Sequence, residues 1–117
     1  MTRDWALKKR AQYQAVYKSG IVKVDNYLVV KAIANQLDFS RFGFSVNRGV
    51  GKAVVRNHVR RLLKEIARVE PIKPGWDIVF IARPNAASID YHVLKRSMDK
   101  LLSRARLLID KDEVVSN

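Results

Sequence analysis

Lys52, Arg56, Arg60, Lys64 and Arg68 recur at every fourth position, with Asn57 and Arg61 set among them. On a helix turning 100° per residue, with Lys52 at 0°, the next four repeats fall at about 40°, 80°, 120° and 160°, Asn57 near 140° and Arg61 near 180°. Val55, Val59, Leu62, Ile66 and Val69 fall between about 260° and 340°, and Leu63 near 20°. The segment therefore reads as a helix with one apolar and one cationic face. Such a face binds phosphate: arginine presents a planar fork to phosphate oxygens and stacks on bases, and lysine adds a compact charge. Without an anion the arrangement is unfavourable, because like charges four apart on a helix cost roughly 0.2–0.5 kcal/mol per pair. Residues 41–68 hold eight Lys/Arg against one acid, Glu65, and so carry +7 of the chain's formal +12. Solvated helix faces ordinarily mix signs. A concentrated positive stripe points instead to a polyanion, with RNA the leading candidate.

Two further patterns bear on binding. Arg48-Gly49-Val50-Gly51-Lys52 leads into the helix and can offer backbone N–H groups to an anion. A nucleotide-binding P-loop is excluded, since it needs Gly at 46 and Ser or Thr at 53, where the chain has Val46 and Ala53. Tyr13 and Tyr17 lie four apart, hence on one helix face, among Lys8, Lys9, Arg10 and Lys18. Core packing accounts for such a pair. So does stacking on unpaired bases, worth about 1–3 kcal/mol per base. Composition leaves both open.

The residues that would support self-sufficient catalysis do not converge. His58 and His92 fall in separate helical segments with no ligand spacing between them. The acids are scattered, and a metal-dependent nuclease needs several carboxylates at one point. Asp110-Lys111-Asp112-Glu113 reads as a solvated cluster. The chain has no cysteine, which excludes disulfides and thiolate metal sites.

The elements that must position these residues follow from periodicity and breakers. Residues 8–19 read as a helix closed by Gly20. Residues 22–34 are rich in strand formers, strongest over Tyr27–Ile33, and a turn is expected at Asn35–Asp38. Arg41–Val46 alternates as a half-buried strand does. The basic helix runs to about Val69, and Pro71 and Pro74-Gly75 break the chain. Trp76–Arg83 reads as a buried strand. A last helix is expected from about Ser88 to Ile109, capped by Ser88 or Asn85, with Leu94, Met98, Leu101, Ala105 and Leu108 as its core stripe. The tail at 111–117 is expected to fray. The order α-β-β-β-α-β-α gives an α/β (α+β) sandwich with a mixed sheet, in one domain over residues 1–117. Strand, helix and strand across residues 41–83 imply a crossover and hence a parallel pair, ordinarily right-handed. No run reaches the ~18 apolar residues of a membrane span, and no signal peptide is evident at the N-terminus. A cytoplasmic, metal-independent fold is the simplest expectation.

The string from Phe42 to Glu65, above all Gly51-Lys52-Ala53-Val54-Val55-Arg56-Asn57, resembles the signature of the bacterial ribonuclease P protein subunit. Tyr13-Gln14-Ala15-Val16-Tyr17-Lys18-Ser19-Gly20 and Ile81-Ala82-Arg83-Pro84 are similar to two further motifs of that family, in the same order. The resemblance implies a left-handed βαβ crossover, against the general rule. It implies an endonuclease whose catalyst is a partner RNA, removing the 5′ leader of precursor tRNA with magnesium acting mainly through that RNA. The protein, expected at one copy per RNA, would contact the catalytic RNA through Arg48, Lys52, Arg60, Arg61, Lys64 and Arg68. It would hold the leader with Tyr13, Tyr17, Lys31, Arg56 and Asn57. Three positions depart from the family pattern: His58 replaces an arginine, Gly49 replaces a frequent second basic residue, and Lys31 occupies a strand position that can be aromatic. A structural RNA-binding protein of similar design is the alternative, and a free-standing ribonuclease the third.

Overall fold

The computed structural model describes residues 5–18 and 20–109; the tail at 111–117 and the Asp110–Glu113 cluster lie outside the described residues. Helix α1 is Arg10–Lys18, α2 is Ala53–Val69 and α3 is Tyr91–Arg104. Strands β1 (Ile21–Val24), β2 (Leu28–Ala34), β3 (Arg41–Ser45) and β4 (Trp76–Ala82) form one sheet in the order β1-β2-β4-β3. The pairs β1–β2 and β2–β4 are antiparallel, and β3–β4 is parallel with α2 in the connection. The expected element order and mixed sheet are both present.

Strand alternation divides the core in two. Leu28, Val30 and Ala32 of β2, with Ile78, Phe80 and Ala82 of β4, pack under Val59, Leu63 and Ile66 of α2 and Leu94, Met98 and Leu101 of α3. Each of the larger buried side chains, from valine up, contributes about 1.5–3 kcal/mol relative to exposure. On the other face Val79, Ile33 and Ile81 receive Leu7, Tyr13 and Val16. Helix α1 thus lies alone on one side of the sheet, and α2 and α3 share the other. Gly20, at φ +113°, lets the chain pass from α1 into β1 where a Cβ would strike the Ala32 carbonyl.

Side-chain caps set several boundaries that hydrophobic periodicity misplaced. Helix α1 begins at Arg10, not Lys8, because Gln12 Oε1 accepts from the backbone N–H groups of Lys8 and Lys9 at 2.9 and 3.0 Å. Residues 22–34 divide at Asp25, whose Oδ1 accepts from Tyr27 and Leu28 N–H, both at 2.9 Å. Its Oδ2 accepts from Ser97 Oγ at 2.6 Å and pairs with Lys100 at 3.2 Å, fastening the β1–β2 turn to α3. These donors outweigh burial and hold the Asp25 carboxyl below its ordinary pKa.

The last helix is shorter than expected at both ends. Its cap is Asp90, which accepts from Val93 N–H at 3.0 Å, while residues 84–88 form a separate 3₁₀ turn that takes up Asn85 and Ser88. It stops at Arg104 because Arg106 takes φ +58°. Arg106 N–H then bonds Ser103 O and Leu107 N–H bonds Leu102 O, the closing pattern usually built on glycine. Buried Leu107 anchors the turn, and Leu108 bridges to Ile72.

Candidate nucleic-acid interface

Helix α2 is amphipathic as expected, but it is rolled about its axis relative to the face read from its aliphatic residues. Its buried residues are Val59, Leu63, Ile66 and Ala67. These span about 320° to 60° on the wheel, so the buried arc centres near Leu63 rather than near 300°. Val69, placed by periodicity on the apolar face, is 63% exposed. Arg56, near 40°, falls inside the buried arc, and Arg60 borders it. Both are half-buried, and Arg56 Nε is buried without a hydrogen-bond partner. Arg61, Lys64 and Arg68 stand exposed. The roll brings the first two arginines of the helix down against the protein and leaves the remaining cations outward.

The start of α2 is organised by its own backbone. Asn47 Oδ1 accepts from Gly49 N–H at 3.0 Å, closing a 3₁₀ turn over Arg48–Val50. Lys52 is the N-cap, not part of the helix, and makes no side-chain cap bond. Arg48 and Lys52 are both exposed there. Asn57 Oδ1 accepts from Arg60 Nη1 at 3.1 Å, and Arg61 Nη2 meets His58 Nδ1 at 3.1 Å. His58 therefore positions a neighbouring guanidinium. The ion pairs among the described residues engage Arg41, Lys95 and Lys100, and none of the cations of α2.

Across the sheet edge, Tyr13 lies flat on Gly43: a Cβ there would meet Tyr13 Cε1 and its hydroxyl at 2.7 Å. The hydroxyl donates to Leu7 O at 3.2 Å. Burial, and to a lesser degree Tyr17, raises its pKa, so Tyr13 stays neutral. The Tyr17 ring is 6.3 Å from that of Tyr13 and 42% exposed. Lys31 Nζ lies 5.3 Å from the Tyr17 ring centroid, a cation–π contact that fixes a charge beside the open aromatic. Lys31 reaches α1 because strand alternation puts it on the same sheet face as Val29 and Ile33.

The two sides meet at β3. A groove of about 350 Å³ runs over this edge strand and is lined by Tyr13, Gly43 and Phe44 together with Arg60 and Lys64. It joins Tyr13, expected to face the leader, to two cations expected to face the catalytic RNA. Arg68 borders a second cavity. Arg56 and Asn57 do not line the groove, although Asn57 is bonded to Arg60, which does. Sequence reasoning passed over Trp5, which lines the groove and is 40% exposed. Its position just ahead of Lys8-Lys9-Arg10 was the available signal. Among the described residues, no three or more His, Asp or Glu converge to hold a metal ion. Among the described residues, no helix is long and apolar enough to cross a membrane.

The family model described as Ribonuclease P matches residues 1–106. The ribonuclease P protein component of Clostridioides difficile is 43% identical over 110 residues, covering 92% of this chain and 96% of that protein. That of Dehalococcoides mccartyi is 40% identical over 111 residues, covering 95% and 92%. The solved RNase P protein of Staphylococcus aureus superposes with a TM-score of 0.84 at 30% identity, over 92% of this chain and all (100%) of that one. The Thermotoga maritima protein gives 0.78 at 32% identity, over 85% and 96%.

Proposed function

This chain belongs to the ribonuclease P protein family, and from that premise we propose that its two sheet faces divide the labour of leader removal, α2 gripping the catalytic RNA and the α1 face holding the precursor leader. The protein acts in tRNA 5′ leader processing together with an RNA subunit and is not an independent enzyme. Its partners are RNA and tRNA. The observation that carries the division is the row of α2 cations, unpaired by described carboxylates, that meets Tyr13 across one groove.

Arg48, Lys52, Arg60, Arg61, Lys64 and Arg68 would neutralise phosphates of the RNA subunit, releasing counterions. Tyr17 would stack a leader base, with Tyr13 as the fixed floor beside it. Lys31 would take a leader phosphate next to the Tyr17 ring. Arg56 and Asn57 would meet the leader where it leaves the cleft. One protein per RNA suffices for this arrangement. Magnesium would act mainly through the RNA subunit, an assignment that follows from the family. The protein lowers the magnesium demand by reducing repulsion between two polyanions.

The test is leader removal by the catalytic RNA at low magnesium, with and without this protein. Stimulated, correctly placed cleavage is the expected result. Cleavage by the protein without RNA, or no stimulation by a folded preparation, would overturn the reading.

A further inference from the structure

The Trp5 indole stands at the boundary between two cavities along α2. On one side is the Tyr13 groove, bordered by Arg60 and Lys64. On the other is an apolar cavity of about 520 Å³ bordered by Arg68, Phe39 and Pro74. Trp5 and Phe42 line both, with ring centroids 6.0 Å apart and planes tilted by 56°. The indole is held in place by backbone: Phe42 N–H donates to Trp5 O at 2.7 Å, and Leu7 N–H donates to Phe42 O at 2.9 Å. This short parallel bridge at Ala6–Phe42 covers part of the β3 edge. A large aromatic ring is thus fixed in position, 40% exposed, and flanked by cations one helical turn apart.

We propose that Trp5 and Phe42 form a stacking site for one unpaired nucleobase of the catalytic RNA, with Arg68 and Lys64 taking the phosphates on either side of that nucleotide. The inference rests on the family reading above and extends it to a site outside the expected set. The chemistry suits a nucleotide: an apolar cavity with an aromatic wall receives a base face, and a cationic rim receives the backbone. Two carboxyls border the same cavity, Asp38 and Glu70. Glu70 is tied to Lys95 at 3.0 Å, its side chain is 2% exposed, and burial lifts its pKa to about 7, so it opposes phosphate little. The catalytic RNA is favoured over the leader because the cavity lies across Trp5 from Tyr13, and its cation belongs to the α2 row.

Tryptophan emission reads the site directly. Titrating the protein with the catalytic RNA should quench its fluorescence, and the quench should disappear in Trp5→Phe, where only Trp76 remains. Trp5→Ala should weaken binding of the catalytic RNA by about 5- to 100-fold with the salt slope unchanged, because a stack and not a phosphate contact is lost. Arg68→Ala should instead lower the slope. Thermal unfolding of Trp5→Ala and Trp5→Phe separates a folding defect, which would lower affinity and slope together. Wild-type affinity in a folded Trp5→Ala protein overturns the inference. So does a quench produced by a leader oligonucleotide and not by the catalytic RNA. Failure of the unaltered protein to bind the catalytic RNA would instead sink the family-based reading itself.

Discussion

Tyr13 occupies the space that a side chain on Gly43 would fill. The ring and hydroxyl lie 2.7 Å from where a Cβ would be, and the hydroxyl donates to the Leu7 carbonyl. The aromatic floor of the proposed leader cleft is therefore a property of a strand glycine as much as of the tyrosine. Gly43→Ala should displace Tyr13, at an overpacking cost of about 1–3 kcal/mol in unfolding free energy. Affinity for precursor tRNA should fall while affinity for mature tRNA holds. Unaltered stability and leader affinity would show that Tyr13 is free to move.

Tyr17 offers the more open ring of the pair. Tyr17→Ala should weaken precursor tRNA by about 5- to 100-fold, the range of one lost base stack, with little effect on mature tRNA. Tyr13→Ala should show the same selectivity and also lower the melting temperature. Equal losses for precursor and mature tRNA would remove both residues from leader recognition.

Arg60→Ala with Arg61→Ala should flatten the dependence of log K on log salt for the catalytic RNA. Each lost phosphate contact removes about 0.7–0.9 from the slope. Filter binding between low and moderate salt measures it. A slope equal to wild type would mean that α2 does not face phosphate.

Arg56 couples stability to function in opposite senses. Its Nε is buried without an acceptor, and such a donor costs about 1–3 kcal/mol. Arg56→Met should therefore raise the unfolding free energy, by about 1 kcal/mol, while weakening precursor tRNA. Chemical denaturation and tRNA binding on the same variant check both halves. A destabilised variant would mean the guanidinium is satisfied in solution.

Glu70 predicts a pH dependence of stability. Burial foremost, together with the neighbouring Asp99 carboxyl, raises its pKa from 4.5 to about 7, and Lys95 only partly opposes this. Between those values the folded chain binds more protons than the unfolded chain. Stability must therefore decline as pH rises from about 4.5 to about 7, and level off above. Glu70→Gln should flatten that stretch of a denaturation-midpoint profile. An unchanged profile would assign the slope to other groups.

The local code was legible and the global placement was not. Spacing of apolar and cationic residues located α2, strand-forming runs located β2 and β4, alternation located β3, and the run from Gly51 to Asn57 identified the family, because each is a pattern within a few turns of chain. The roll of α2 depends on what packs beneath it. Val59, Leu63, Ile66 and Ala67 meet the sheet and α3, so Arg56 is drawn inward and Val69 is left out, against the order of their hydrophobicity. The early end of α3 rests on Arg106 at positive φ, with no glycine to announce it. Likewise, nothing in the spacing of Tyr13, Gly43, Arg60 and Trp5 joins them. They share one groove because β3 is an edge strand beside which α1, α2 and the N-terminal segment all arrive, and that proximity arises only when distant segments bury their apolar faces together.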